Sequence, residues 1–400
     1  MGKKLLVLGG GENQVPIIQK AKQLGHHVVL CDYLPDNPGR LYSDIHYLAS
    51  TYEYEDVLKV AKKEKIDGVV TNSEPVLHVM ARLTDELKLP SVTEKTVALF
   101  LDKNRMRNHL EKCGFNTVRY RSCEELEDAI GFFRSVKCKM IMKPADSSAS
   151  RGVFSINNED DIRKYFKVSQ NANRRSRDVQ LEEYIEGYEF SVDGICIDGK
   201  HYSLGVSRKK QYSYNENLDK ELYFSYYDSD FDYDALREYN DEIAESTGLP
   251  FGMTHAEYKY SNGRFHFIEM AARGGGMFIS TMIIPFISGV DTVKILIESS
   301  LGEQVTESIE VNDQFKNRCG VLKFLSPPNE QSGIVRCIDG VDVLKQKGIV
   351  KYSFDCKVGD YVKHADDGTN RLGYYIAVGE TKRELDKIMR SVDENIVIGF

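Results

Sequence analysis

The 400 residues carry 53 basic against 61 acidic side chains, a net charge of −8. That length allows two or three domains with cores of their own, and the acidic balance excludes a broad nucleic-acid surface. The eight cysteines, at 31, 113, 123, 138, 196, 319, 337 and 356, form no Cys-x-x-Cys pair and no zinc spacing, so they are expected as reduced, mostly buried side chains.

Lys3-Lys4 leads directly into a short strand and glycines rather than a long apolar segment, and no run approaches the ~18 apolar residues of a membrane span. A soluble cytoplasmic protein is expected. The basic group Arg174, Arg175 and Arg177 lies in a polar stretch and reads as a solvated loop.

Residues 3 to 9 form an apolar strand ending in Gly9-Gly10-Gly11, a helical pattern runs from about Gln14 to Leu24, and HHVVLCD ends a second strand at Asp32. This βαβ opening has half a dinucleotide fingerprint, with Asp32 near the position of a ribose-binding acid but Gln14 where the third glycine belongs. An NAD-dependent dehydrogenase is one reading. A second is that the Gly10 and Gly11 amides hold a substrate anion at the helix start; a third is a tight turn and nothing more. Two further αβ units follow, with helices near 53–63 and 75–87. They imply a parallel sheet with ligands gathered at strand C-termini, which puts Glu74 either against a substrate or at a helix cap.

From about residue 95 the pattern changes. A charged helix opens at Asp102-Lys103 and stops at Gly114, and then KMIMKPADSSASRGVFSI delivers Lys143 on a strand before a Ser/Gly loop containing Ser147, Ser148 and Gly152. Small residues let amides approach polyphosphate oxygens, although the same loop could be a plain hairpin tip. Glu182, Glu183 and Glu189 crowd the next strand, where they could meet an adenine edge and ribose hydroxyls or be surface acids. Residues 212–233 hold six tyrosines and two phenylalanines without a clean period, a substrate-covering loop or interdomain packing.

HAEYKYSNGRFHFIEMAARGGG, residues 255–276, reads as a hairpin turning at Asn262-Gly263, with Glu257 and Glu269 on its arms and Arg273 beyond. Two carboxylates and a guanidinium suit Mg²⁺ and phosphate, or are an ordinary hairpin's solvent-facing acids. A strict two-residue loop would set Glu257 opposite Ile268 and turn Glu269 to the other face. A metal site therefore requires a bulge or a wider loop between the acids. A helix over 292–301 follows, then short strands and a helix from about 381 to 395.

Lys103, Lys143 with its Ser/Gly loop, Glu182 to Ile185, Glu189, and Glu257 and Glu269 with Arg273 occur in the order and rough spacing of the ATP-grasp superfamily. The resemblance covers nearly the whole chain, and the layout is similar to biotin carboxylase, glycinamide ribonucleotide synthetase and the amino-acid ligases. It implies an α/β and α+β architecture: an N-terminal parallel α/β domain (1–95), a two-lobed ATP-grasp domain (96–310, lid about 115–185) and a small, mostly β C-terminal domain (311–400).

Carried over by resemblance, Lys103 and Lys143 contact ATP phosphates, and Asp146 to Gly152 form a mobile lid loop that includes Ser147 and Ser148. Glu182 meets the adenine amino group, with Tyr184 and Ile185 in the linker and Glu189 on the ribose. Glu257 and Glu269 bind Mg²⁺, with Mn²⁺ as a substitute; Arg273 holds the carboxylate and acyl phosphate, and Arg371 is the catalytic arginine that this group brings from its last domain. The resemblance implies an ATP-dependent ligase that activates a small carboxylate as acyl phosphate and joins it to an amine, without nucleic-acid or membrane partners and with room for a homodimer. A nucleotide-binding protein without turnover, and enzymes using bicarbonate or a thiol, remain alternatives. One departure stands out: the family usually writes Glu-x-Asn at the second acid, and here Glu269 is followed by Met270 and Ala271.

Overall fold

The computed structural model describes residues 2–147, 151–306, 308–326, 331–363 and 371–400. The first unit contains β1 (Lys4–Leu8), α1 (Val15–Gln23), β2 (His27–Asp32), β3 (Ile45–Leu48), α2 (Tyr54–Glu64), β4 (Gly68–Val70) and α3 (Leu77–Leu87). Its strands are parallel in the order β3-β2-β1-β4. Alternation along β1 explains the layering: Leu5 and Val7 face α1, while Leu6 and Leu8 pack against α2 and α3.

The glycine turn differs from the anion-binding expectation. Asp32 is buried, and its carboxylate accepts from the amides of Gly10 and Leu34, each at 2.7 Å. Asp32 is thus spent on closing the turn and is not presented to a ribose, and the Gly10 amide is not available to a substrate. Close packing accounts for the glycine at position 10, because a Cβ there would lie 2.0 Å from Asn37 Oδ1. The next residues reach the central part of the chain instead, where Asn13 Oδ1 accepts from the Phe278 amide at 3.2 Å.

Helices α4 (Glu94–Leu101) and α5 (Lys103–Lys112) lead into a four-stranded lid. Asp102 starts α5 by accepting from the Arg105 amide at 3.0 Å. The lid comprises β5 (Tyr120–Cys123), α6 (Leu126–Val136), β6 (Met140–Pro144), β7 (Phe154–Ile156), α7 (Glu159–Asn171) and β8 (Val179–Glu183), with antiparallel order β5-β8-β6-β7. Period-two alternation sends Met140 and Met142 into the helices. Ile141 and Lys143 therefore point the other way, into a cavity shared with the main sheet.

The main sheet is built from β9 (Tyr188–Ile197), β10 (Lys200–Tyr212), β11 (Asn215–Ser225), β12 (Gly252–Ser261), β13 (Arg264–Ala271) and strands nearer the C-terminus, with α8 (Tyr233–Ser246) between β11 and β12. Helices α9 (Ile284–Ser288) and α10 (Thr292–Ser300) follow, then β14 (Cys319–Phe324), the short β15 (Gly333–Ile334) and β16 (Cys337–Asp339), β17 (Ile349–Phe354), β18 (Tyr361–Val362), β19 (Gly373–Gly379), α11 (Lys382–Asn395) and β20 (Val397–Gly399). Its eight-stranded order, β13-β12-β9-β10-β11-β14-β19-β17, runs without interruption across the boundary that the sequence reading sets at 311. The tyrosine-rich stretch holds this continuity, because it contains β11, the strand that pairs with β14.

No single helix among the described residues is long and apolar enough to cross a membrane. The apolar pair Ile279–Ser288 and Thr292–Ser300 is bent by 116°. Val293, Ile295 and Ile297 of this pair pack in one core with Leu5 and Val7 of the parallel sheet and Phe224 and Leu322 of the main sheet.

Candidate active site

The hairpin turns on Asn262 (φ 52°) and Gly263 (φ 79°), the positive dihedrals that a tight two-residue turn needs. From Ser261 opposite Arg264 the ladder is regular to Tyr258 opposite Phe267. Ile268 is then left without a partner, so Glu257 stands directly opposite Glu269. This is the bulge that a shared metal site demands, and it brings both acids to one face.

Each acid has a cation beside it. Lys209 Nζ lies 2.6 Å from Glu257, 2.9 Å from Glu189 and 3.2 Å from Asp219, while Lys103 Nζ lies 3.4 Å from Glu269 and 2.7 Å from the Ser147 carbonyl oxygen. Burial disfavours the charged form of Glu257, but Lys209 and His255 outweigh it and hold the carboxyl well below its usual range. Burial raises Glu189 to about 7, with Lys209 opposing and Asp219 and Glu257 adding to the rise. For Lys103, burial is outweighed by Glu269 and Glu74, and its pKa is raised.

Two cavities meet at these residues. One, of about 130 Å³, lies between lid and sheet and is lined by Lys143, Tyr184, Ile185 and Glu189. The other, of about 430 Å³, faces the N-terminal unit and is lined by Glu74, His255, Arg273 and Arg371. Lys103, Glu257 and Glu269 line both. Among the described residues no cluster of three or more His, Cys, Asp or Glu is gathered tightly enough to hold a metal unaided. Two opposed carboxylates do fit Mg²⁺, provided that phosphate oxygens and water complete its octahedron.

Other expected residues take up different partners. The Glu182 carboxylate lines the cavity between lid and sheet but is held by cations: it is 2% exposed, accepts from Arg107 Nε and Nη2 at 3.2 and 3.0 Å, and is paired with Lys143 Nζ. Burial raises the Glu182 pKa, but Arg107 and Lys143 outweigh it and the carboxyl titrates below its usual range; Lys143 is depressed, by burial above all. Arg273 pairs with Glu74, Nη2 to Oε2 at 2.8 Å, so these two meet across the larger cavity rather than facing it separately. Arg371 lies 3.3 Å over the Phe324 ring and donates to the Asp219 carbonyl oxygen at 2.8 Å.

Ser147 is buried and its hydroxyl has no hydrogen-bond partner among the described residues, whereas Ser148 lies outside them. Gly152 adopts φ 74°, and a Cβ there would lie 2.6 Å from that of Ala172, so close packing on the end of α7 accounts for this glycine. Gly275 is needed for a related reason: its amide donates to Asp193 Oδ1 at 2.9 Å, where a side chain would collide. Arg107, Lys209, Asp193 and His255 were not expected here. Only His255 carried a signal, since two residues before Glu257 on a strand means the same face.

The sequence profile of the ATP-grasp domain matches residues 136–281, that of an ATP-grasp N-terminal domain matches 18–91, and that of L-amino acid ligase C-terminal domain 2 matches 323–400. The chain belongs to the ATP-grasp superfamily. This ATP-grasp chain is 24% identical over 197 residues to formate-dependent phosphoribosylglycinamide formyltransferase of Methanocella arvoryzae, covering 49% of itself and 46% of that protein. It thus spans about half the length of several curated relatives it matches. It is 20% identical over 396 residues to dapdiamide A synthase of Enterobacter agglomerans, covering 96% of itself and 92% of that enzyme. Its fold is similar to the crystal structure of L-amino acid ligase from Bacillus licheniformis, with a TM-score of 0.82, 19% identity and coverage of 100% and 99%.

Proposed function

We propose that this ATP-grasp chain is an ATP-dependent ligase that joins the carboxylate of a small amino acid to an amine. The observation that carries the reading is the shared wall of the two cavities. A nucleotide in the smaller one would present its terminal phosphate at Lys103, Glu257 and Glu269, where an acid in the larger one can meet it. Positioning of this kind, with charge neutralisation, accounts for most of the catalysis that phosphoryl transfer needs.

Glu257 and Glu269 would hold Mg²⁺, which when bound neutralises phosphate charge. Lys143 and Lys103 add positive charge on the lid side. A carboxylate oxygen of the acid attacks the γ-phosphorus and ADP leaves; the amine nitrogen then attacks the acyl carbon, inorganic phosphate leaves and the nitrogen loses a proton. The lid keeps water from the acyl phosphate meanwhile.

An amino acid suits the larger cavity because a zwitterion that opens the Arg273–Glu74 pair would replace both partners, giving its carboxylate to the guanidinium and its ammonium to the carboxylate. Leu99, Phe100 and Met277 leave an apolar wall for a side chain. The ligase C-terminal profile and dapdiamide A synthase support the same substrate class. A homodimer belongs to this reading as an assembly to be tested by sedimentation.

The experiment is to incubate the protein with ATP, Mg²⁺ and amino acids singly and in pairs, measuring ADP, phosphate and product mass. Pair-dependent ADP release with a product lighter by one water than the sum of the pair is expected. ADP release that no acid or amine stimulates would refute the proposal.

A further inference from the structure

Ala271 stands where the family ordinarily places a metal-binding asparagine, and its partner across the β12–β13 ladder is His255. The imidazole therefore occupies the neighbouring place on the same face, two residues from Glu257, beside a side chain too small to reach a cation. Both residues line the larger cavity.

The ring is fixed from behind. Nδ1 lies 3.0 Å from Asp193 Oδ2, and Asp193 is buried and anchored by the Gly275 amide at 2.9 Å. A carboxylate on one ring nitrogen is the arrangement that orients a histidine whose other nitrogen binds a metal. That other nitrogen, Nε2, stands 3.9 Å from Glu257 Oε1. Cis donors each about 2.1 Å from one octahedral ion lie roughly 3 Å apart, so Nε2 and Oε1 need to close by about 1 Å when they take up a shared cation.

We propose that His255 Nε2 is a protein ligand of the second cation at the Glu257–Glu269 site, taking the coordination place that Ala271 leaves unfilled, with Asp193 as the group that orients it. The inference rests on the ligase reading only in requiring that a metal–nucleotide complex binds there. Its chemical consequence is a change of metal preference. A nitrogen donor in place of an amide oxygen favours Mn²⁺ over Mg²⁺.

Pulsed electron paramagnetic resonance on Mn²⁺ bound with a non-hydrolysable ATP analogue reads the ligands directly. Wild-type protein should show ³¹P coupling from the nucleotide together with ¹⁴N coupling from a coordinated imidazole, and the nitrogen signal should convert to ¹⁵N in protein labelled at histidine. His255→Gln should abolish the nitrogen signal, keep the phosphorus signal, and weaken Mn²⁺ binding by about ten- to a hundredfold while Mg²⁺ binding changes less. The isotope result on wild type decides the matter even if that variant does not fold. Phosphorus coupling without histidine nitrogen coupling would overturn the role of His255 and leave the nucleotide–metal reading standing. Mn²⁺ with neither coupling would overturn both.

Discussion

Arg107 Nη2 donates to the carbonyl oxygen of Ile268 at 3.0 Å, and Ile268 is the residue that the β12–β13 ladder leaves unpaired. The same guanidinium donates to the Phe267 carbonyl oxygen at 2.8 Å and to Glu182 of the lid. Arg107, 1% exposed, thus holds the bulge that aligns Glu257 with Glu269 and links it to the strand opposite Lys143.

Replacing Arg107 by Met should therefore be costly. It strands a buried carboxylate with Lys143 alone and leaves two bulge carbonyls unpaired, so a loss of about 3 to 5 kcal/mol in urea denaturation is expected. A loss below about 1 kcal/mol, the value of an exposed pair, would contradict the role given to Arg107.

Lys143→Ala tests the nucleotide assignment. Losing a charge-assisted phosphate contact should weaken ATP binding about ten- to a hundredfold by calorimetry. Unchanged affinity in a folded variant would remove Lys143 from the phosphate site.

Arg273 should matter to the acid and not to ATP. Arg273→Lys keeps the charge but loses the planar fork, so kcat/KM for the acid should fall at least tenfold while ATP affinity stays within a factor of about two. Full activity in this variant would reject the carboxylate assignment.

Free metal offers a further check. Imidazole is a poor Mg²⁺ donor, so activity should keep rising with free Mg²⁺ after ATP is saturated and should level off at lower free Mn²⁺. Ala271→Asn should move the Mg²⁺ curve to lower concentration. A wild-type curve already flat once ATP is saturated would count against it.

The metal-free protein should lose stability at alkaline pH. Burial lowers the His255 pKa, but Asp193 and then Glu257 outweigh it, raising it from the ordinary 6.5 to about 9. A raised folded-state pKa means that the stabilisation is fully present below about 6.5 and is lost as pH rises through about 9, by up to about 3 kcal/mol. Denaturation midpoints of wild type and His255→Gln across this range should converge as pH rises. Parallel curves would contradict the assignment.

The sequence exposed the hairpin and its bulge because they are local: turn residues, period and two acids of mismatched parity lie within one short stretch. β11 stayed hidden. An interior strand packed on both faces has no polar–apolar alternation to read, and its tyrosines obscured what pattern there was. Lys209 and Arg107 were equally invisible, since each owes its place to carboxylates or carbonyls brought in from distant strands. Glu182 was located on the correct strand, but its partner Arg107 was not foreseen, because that buried guanidinium lies 75 residues away in the chain.

The unbroken sheet also bears on how the chain can be cut. With β14 paired along Glu221 to Ser225, removal of everything after residue 310 would not free a self-sufficient ATP-binding fragment. It would strip β11 of one neighbour and bare a row of unsatisfied amides and carbonyls beside Asp219 and Lys209. Such an edge recruits strands from other molecules, so the shortened protein should accumulate as insoluble aggregate.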